Sequence, residues 1–340
     1  MDIYILNDKF DMVDIIDDYK YLMWDMAFYK SGFFEMRADI RHLTALTTGR
    51  YVYRNDSNYT GRIDTVAIDG QIVTISGRFL ESLLDFRVDA LGRTHTDPVE
   101  TAMINILRDN SEGNRAIQGL EIKAGLGRGA TGTFTAFGKS IAEYFYELAE
   151  AYDLSFNVKY NQDAKSMTFN VIDGIDRTQF QTVNSWCIFS RDFDNVMDEY
   201  FEMNTDYANF AYVFGENSAS VIIDKSRSGE RREIFVDASD LRREEGMSEA
   251  VYTALLRQRG YEKLAEAGRF ETVGFTVTKD HSMPFGLGDI VTYKQPNLNK
   301  TYDLRVTEIR EIHEKGNIKR NIVLGKNKPG VVQTIRKGAM

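Results

Sequence analysis

Residues 125–140, GLGRGATGTFTAFGKS, come nearest to a catalytic motif. A phosphate-binding loop needs a glycine, four residues, then Gly-Lys-Ser, so that backbone N–H groups wrap a phosphate at the start of a helix. Gly138, Lys139 and Ser140 supply the second half, but the first glycine position falls on Thr133, and Gly132 is one residue early. The run reads as a flexible loop leading into a capped helix. In FSRDFDNVMDE, Asp192, Asp194 and Asp198 offer oxygen ligands for a hard cation. The sharp turn of a calcium loop needs glycine at its sixth position, and Met197 stands there. Asn195 is expected to bridge a turn instead, with Phe193 and Val196 holding it to the core.

Glu143 and Glu147 lie one helical turn apart, the spacing that could bring two carboxylates together for glycan hydrolysis, yet they read as solvated positions. Cys187, between Trp186 and Ile188, reads as a buried thiol rather than a nucleophile. His42, His95, His281 and His313 are far apart in sequence and form no short metal-ligand motif. Near the end, FGLGDIVTY places Gly286, Gly288 and Asp289 before Ile290, Val291 and Tyr293, which reads as a tight strand-entry turn capped by Asp289. The basic residues Lys315, Lys319, Arg320, Lys326, Lys328, Arg336 and Lys337 read as a solvated hairpin and loose tail. No catalytic, cofactor-binding or metal-binding residue is assigned.

Mostly strands must position these residues. IYIL, Tyr19 to Tyr29, FFEMRAD, YVYR, RIDTVAID and IVTISG are short, aromatic or β-branched, and separated by turn residues. Imperfect alternation of Ile63, Val66 and Ile68 leaves room for a bulge, and RFLESLLD reads as a short helix or turn. Asp97, Pro98 and Glu100 predict a capped helix start, with Val99, Met103, Ile106 and Leu107 as its apolar stripe. Ser140 to Tyr152 repeats that arrangement, and LSFNVKY and SMTFNVID follow as strands. SWCIF, FAYVFG, ASVIID and RREIFVD return to strand pattern. SEAVYTALLRQRGYEKLAEA is the longest helical candidate, anchored by Val251, Leu255, Leu256 and Leu264, with Gly260 an internal weak point. ETVGFTVT, GDIVTY, YDLRVTEIREI and NIKRNIVLG form a last strand block.

The expected fold class is mixed β-rich α+β: two barrel-like β domains, an inserted small α/β domain, and an additional helical or mixed segment. Its bounds are 1–86 for the first barrel-like domain, completed by strands from 177–245, and 87–176 for the insert. A connecting domain covers 177–268, the second barrel-like domain 269–325, and a basic tail 326–340. With 340 residues, several cores are affordable. One cysteine excludes an internal disulfide framework, and a net charge of −9 gives no global signature for nucleic acid. No apolar run is long enough to span a membrane, and aspartates fill the first 25 residues where a signal peptide would be basic and apolar. Synthesis in the cytoplasm without general secretion is expected.

Taken in order, IYILNDKFDMVDIIDDYKYLMWDMAFYKSGFFEMR, ISGRFLESLLDFR, GIDR, FSRDFDNV, DYANFAYVFGE, RREIFVDASDL, LLRQRGYEKLAEA and LGDIV resemble the Gp37-like tail proteins of siphophages, from near residue 1 to about 325. That family resembles the amino-terminal hub region of tail-associated lysins and the central hub of contractile-tail baseplates. The resemblance implies a noncatalytic tail-tip or baseplate protein, a homotrimer that adapts a sixfold tail to a threefold tip and forms part of the DNA passage. It implies a distal tail protein and a tape measure protein as partners, a separate fibre, receptor-binding or lysin protein, and passive contact with phage DNA. No cofactor and no membrane insertion are implied. With about 15 residues following the last expected strand, lytic activity is not expected to carry over from the resemblance. A cell-wall-degrading tail enzyme and a host-glycan-binding tip protein are the alternatives. The insert is expected to lie peripheral to or below the ring, adding contacts between subunits rather than a catalytic pocket, with its glycine-rich connection accommodating displacement.

Overall fold

The computed structural model describes residues 1–204, 207–226, 229–243, 245–268, 270–278, 283–314 and 316–326. Seven strands open the chain: β1 (Ile3–Leu6), β2 (Met12–Ile16), β3 (Tyr21–Ala27), β4 (Phe33–Asp39), β5 (Tyr51–Tyr53), β6 (Gly61–Asp69) and β7 (Ile72–Phe79). A mixed segment follows with β8 (His95–Pro98), α1 (Val99–Asp109), β9 (Leu120–Glu121), β10 (Thr131–Phe134), α2 (Ile141–Tyr152), β11 (Ser155–Asn161) and β12 (Ser166–Ile172). The remainder comprises β13 (Ile188–Phe189), β14 (Val196–Asn204), β15 (Phe210–Phe214), β16 (Ser220–Asp224), β17 (Glu233–Asp237) and α3 (Glu249–Glu266). It ends with β18 (Phe270–Val277), β19 (Ile290–Gln295), β20 (Lys300–Glu314) and β21 (Asn317–Leu324).

Alternation drives the first strands into one core. Along β7 every second side chain is buried, and Val73, Ile75 and Phe79 meet Trp24 and Phe34 from β3 and β4. Trp24 is fully buried, its ring 4.8 Å from that of Phe79 and its indole N–H donating to Ser57 Oγ at 3.1 Å. The bulge in β6 falls between Ile63 and Thr65, and residues 80–86 form a 3₁₀ turn burying Leu83 and Leu84.

The expectation of two barrel-like domains is incorrect. The largest sheet runs β14-β18-β21-β20-β3-β4-β7-β6-β5-β1-β2, with β19 joined to β20 and β13 to β19. Its ends, β14 and β2, are different edges that do not pair with each other, and among the described residues no sheet closes or curls strongly, so the fold is mixed α/β built on large open sheets. The reason lies in β20, which is 15 residues long. Its first part pairs with β19 and its second part with both β3 and β21. Backbone groups that could close two small barrels instead join the first and last strand blocks into one ladder.

Between these blocks, α1 and α2 pack on the sheet β11-β12-β9, and the faces carrying Phe145, Phe156 and Phe169 form one apolar cluster. The α2 start is as expected, with Ser140 Oγ accepting from the Glu143 N–H at 3.5 Å. At α1 the expectation fails: Asp97 lies in β8, Pro98 occupies the cap position, and no side chain caps it. Asp97 instead accepts from the Asn105 amide, and buried Glu100 accepts from the backbone N–H groups of Leu126 and Arg128. Farther on, α3 covers the sheet β16-β15-β17. Tyr252 anchors it more deeply than half-buried Val251. Gly260 is a close-packing point rather than a weak one: a Cβ there would lie 2.4 Å from Ile223 Cδ1 and 2.6 Å from Val213 Cγ2.

Candidate functional site

The charged and aromatic groups converge where the 87–176 segment meets the strand blocks. Asp289, read from sequence as a local turn cap, does accept from the Gly286 N–H at 2.9 Å, but it is also a buried latch across the chain. Its Oδ1 accepts from the Ile175 N–H at 2.9 Å, and its Oδ2 accepts from Arg177 Nε at 2.6 Å. The latch holds the exit from β12 against the start of β19, where Asp176 bridges to Ile290 in parallel fashion. Gly288 has φ +90°, and a Cβ there would sit 2.4 Å from the Phe28 ring, so two separate constraints demand glycine.

A second tie grips the end of α2. Asp153, its left-handed C-cap, receives a bidentate pair from Arg305, with Nε at 2.9 Å and Nη2 at 2.6 Å, and a hydrogen bond from the Tyr29 hydroxyl. Burial opposes ionisation of Asp153, but these donors outweigh it and lower its pKa. Burial, reinforced by the Asp153 charge, pushes the Tyr29 hydroxyl well up. Arg305 also lies over the Phe28 ring, 5.0 Å from its centroid. A third tie is apolar. Phe10 adopts φ 61°, uncommon for a bulky residue, and its ring stacks between Tyr51 at 4.9 Å and Tyr160 of β11 at 5.1 Å. The mixed segment thus shares its core with the first strand block, including Leu6, Phe10 and Tyr51.

A buried charge cluster completes the junction. Glu311 on β20 accepts from Arg54 at 2.9 Å and from Arg320 at 2.8 Å, while Arg54 also pairs with Asp56. Burial works against the Glu311 carboxylate, yet neighbouring His313, Arg54 and Arg320 hold it down at about 2. Elsewhere, Glu81 is buried and lacks a partner for Oε2 among the described residues, and burial pushes its carboxyl up to about 8.

The sequence candidates stay apart. Thr133 lies in β10, Gly138 adopts φ 79°, and Lys139 pairs with Glu147 instead of facing an open phosphate cradle. Glu143 is exposed, so the helical carboxylates do not share a cleft. Asn195 bridges the turn as expected, accepting from the Ser190 N–H at 3.0 Å and donating to the Ile188 carbonyl at 2.8 Å. Val196 is buried, but Phe193 is exposed and does not hold that turn. Asp192 belongs to a 3₁₀ turn, Asp194 is its left-handed cap, and Asp198 sits in the β14 bulge. Cys187 is buried, and burial pushes its thiol up to about 12. His42 contacts Asp14 and Asp18, His95 contacts Asp109, and His313 lies beside Glu311. His281, Lys315, Lys328, Arg336 and Lys337 lie outside the described residues. Among the described residues, no group of three or more His, Cys, Asp or Glu could hold a metal ion, and no helix is long and apolar enough to cross a membrane.

The fold as a whole is similar to that of phage tail proteins. The chain belongs to the family described as Siphovirus ReqiPepy6 Gp37-like protein, whose model matches residues 2–326. Its fold is similar to that of the prophage tail protein gp18 from Listeria monocytogenes EGD-e, with TM-score 0.60 at 14% identity over 100% of this chain and 98% of that one. A 43 kDa tail protein of prophage MuSo2 from Shewanella oneidensis gives TM-score 0.55 at 13% identity, covering 95% and 98% of the two chains. A tail protein from Neisseria meningitidis MC58 gives 0.55 at 13% identity over 96% of each chain. No curated protein matches.

Proposed function

We propose that this chain is a structural hub protein of a phage tail tip or baseplate, assembled in the host cytoplasm and carried in the particle. The observation that carries this reading is the family match over residues 2–326, together with a fold shared along whole chains with prophage tail proteins. Within the reading, three copies surround the tail axis, adapt a sixfold tail to a threefold tip and line part of the DNA passage. The distal tail protein, the tape measure protein and a separate fibre, receptor-binding or lysin protein are its neighbours. The division at 1–86, 87–176, 177–268, 269–325 and 326–340 belongs to the same proposal, its first and fourth parts contributing to one open sheet. The 87–176 segment lies at the periphery of the ring or below it, clear of the channel.

Sheet edges with no strand partner among the described residues support assembly. Edge strand β2 exposes Met12, Val13 and Ile15, and the opposite edge, β14, exposes Met197, Tyr200 and Met203. Such edges are normally covered or blunted, and closed symmetry covers them without leaving a free end. Light scattering of the purified chain, alone and mixed with its distal tail partner, tests the assembly. A trimer mass in either sample supports it, and a monomer in both contradicts it.

A further inference from the structure

A cleft of about 490 Å³ opens where three parts of the chain meet. One wall comes from the turn after β5, with Arg54 and Asn58; the second from β11 and β12, with Asn157, Lys159 and Asn170; the third includes Arg320 of β21. We propose that this cleft is a binding site for an extended, acidic peptide segment of a neighbouring protein in the particle. The inference rests on the structural reading above.

Its charge is the first argument. Arg54 is neutralised by Asp56 and Glu311, and Arg320 by Glu311, whereas exposed Lys159 makes no ion pair with a described residue. The cleft therefore keeps one surplus positive charge on a chain whose net charge is −9, and a carboxylate is its complement. The second argument is the hydrogen-bonding pattern. The Asn170 amide NH₂ donates to the Thr168 carbonyl at 2.9 Å and to Asn157 Oδ1 at 3.4 Å. This leaves the Asn157 NH₂ as donor and the Asn170 oxygen as acceptor, the pair of groups that an extended backbone presents in reverse. The third is the rest of the lining, where Met26, Leu287 and Ile309 give apolar contact for side chains alternating with the acidic one. The one lining aromatic ring, Tyr59, is 7% exposed, so no open ring face is offered for stacking a sugar. The volume falls in the range of sites that enclose a few residues, and such sites favour boundaries between structural bodies.

Zero-length carbodiimide coupling on purified particles, read by mass spectrometry, tests the proposal and identifies the source of the peptide. The expected result is an isopeptide between Lys159 and an Asp or Glu. A linked peptide from another tail protein names that partner, whereas one from this same sequence overturns the proposal in favour of a contact between copies. Lys159 acylation should be about tenfold slower in particles than in the isolated chain. Lys159→Glu, a change at an exposed position whose folding is checked by circular dichroism, should reduce incorporation into particles by about tenfold, and Lys159→Arg should restore it. Full Lys159 reactivity in particles that contain the chain overturns the cleft proposal alone. Protection without an isopeptide, relieved by glycan-degrading enzymes, also overturns it in favour of a saccharide. Absence of the chain from particles overturns the structural reading and this inference with it.

Discussion

Replacing Asp289 by alanine should detach the segment that leaves β12. The carboxylate accepts three hydrogen bonds, from Ile175 N and Gly286 N at 2.9 Å each and from Arg177 Nε at 2.6 Å. Removing one partner of a buried ion pair costs about 3–5 kcal/mol. The Arg177 side chain keeps 16% of its exposure and can turn to water, which places the loss near the lower end, about 3 kcal/mol. At about 1.4 kcal/mol per tenfold, the open population of residues 173–178 should rise about 100-fold. Hydrogen exchange followed by mass spectrometry reads this directly: peptides covering 173–178 should exchange faster by that factor, while β11 and β12 stay unchanged. Asp289→Asn should recover little, because its NH₂ faces the Arg177 and Gly286 donors if its oxygen serves Ile175. Exposed Asp2→Ala is the control and should change stability by less than about 0.5 kcal/mol. A rise below about threefold in Asp289→Ala would refute the latch.

Other expectations concern buried titratable groups and packing. Glu311 has its pKa depressed to about 2, so its contribution of about 3 kcal/mol is complete above the unfolded value near 4.5 and is lost as pH falls from there through 2; acid titration of Glu311→Gln should lack this slope. Glu81 behaves in the opposite sense: its pKa is raised to about 8, so relative stability is full below about 4.5 and declines as pH rises through 8. Glu81→Gln should flatten that decline and raise stability at pH 8 by about 2–4 kcal/mol in denaturant titration. Gly260→Ala should destabilise by about 1–3 kcal/mol despite alanine's better helix propensity, because the new methyl group collides with Ile223 and Val213; a higher melting temperature would contradict this. Native Cys187 should resist an aromatic disulfide reagent at pH 8 and react fully once the chain is unfolded.

Local elements were legible because alternation and capping are local signals. Met167, Phe169 and Val171 alternate in sequence and are buried together, and Ser140 announces α2. The α1 start misled because Asp97 has the right type at the right spacing, while its backbone pairs with Gly132 in a strand that the cap pattern does not encode. The barrel expectation failed for a related reason. Strand-forming composition fixes neither pairing partners nor closure, and the 24-to-311 pairing that joins the blocks spans most of the chain. The junction was also hidden: Arg305 and Asp153, or Arg177 and Asp289, are ordinary surface types whose partners lie more than 100 residues away. FGLGDIVTY did carry a signal in its paired glycines and lone acid, but the turn accounts for only one of the three Asp289 hydrogen bonds.

A density map of the intact tail tip, compared before and after DNA release, tests the central claim most directly. The structural account predicts three copies of this chain around the tail axis, with the β2 and β14 edges covered by neighbours and residues 87–176 outside the channel in both states. Particles whose tip density contains no copy of this chain, or an 87–176 segment blocking the axis after DNA has passed, would contradict it.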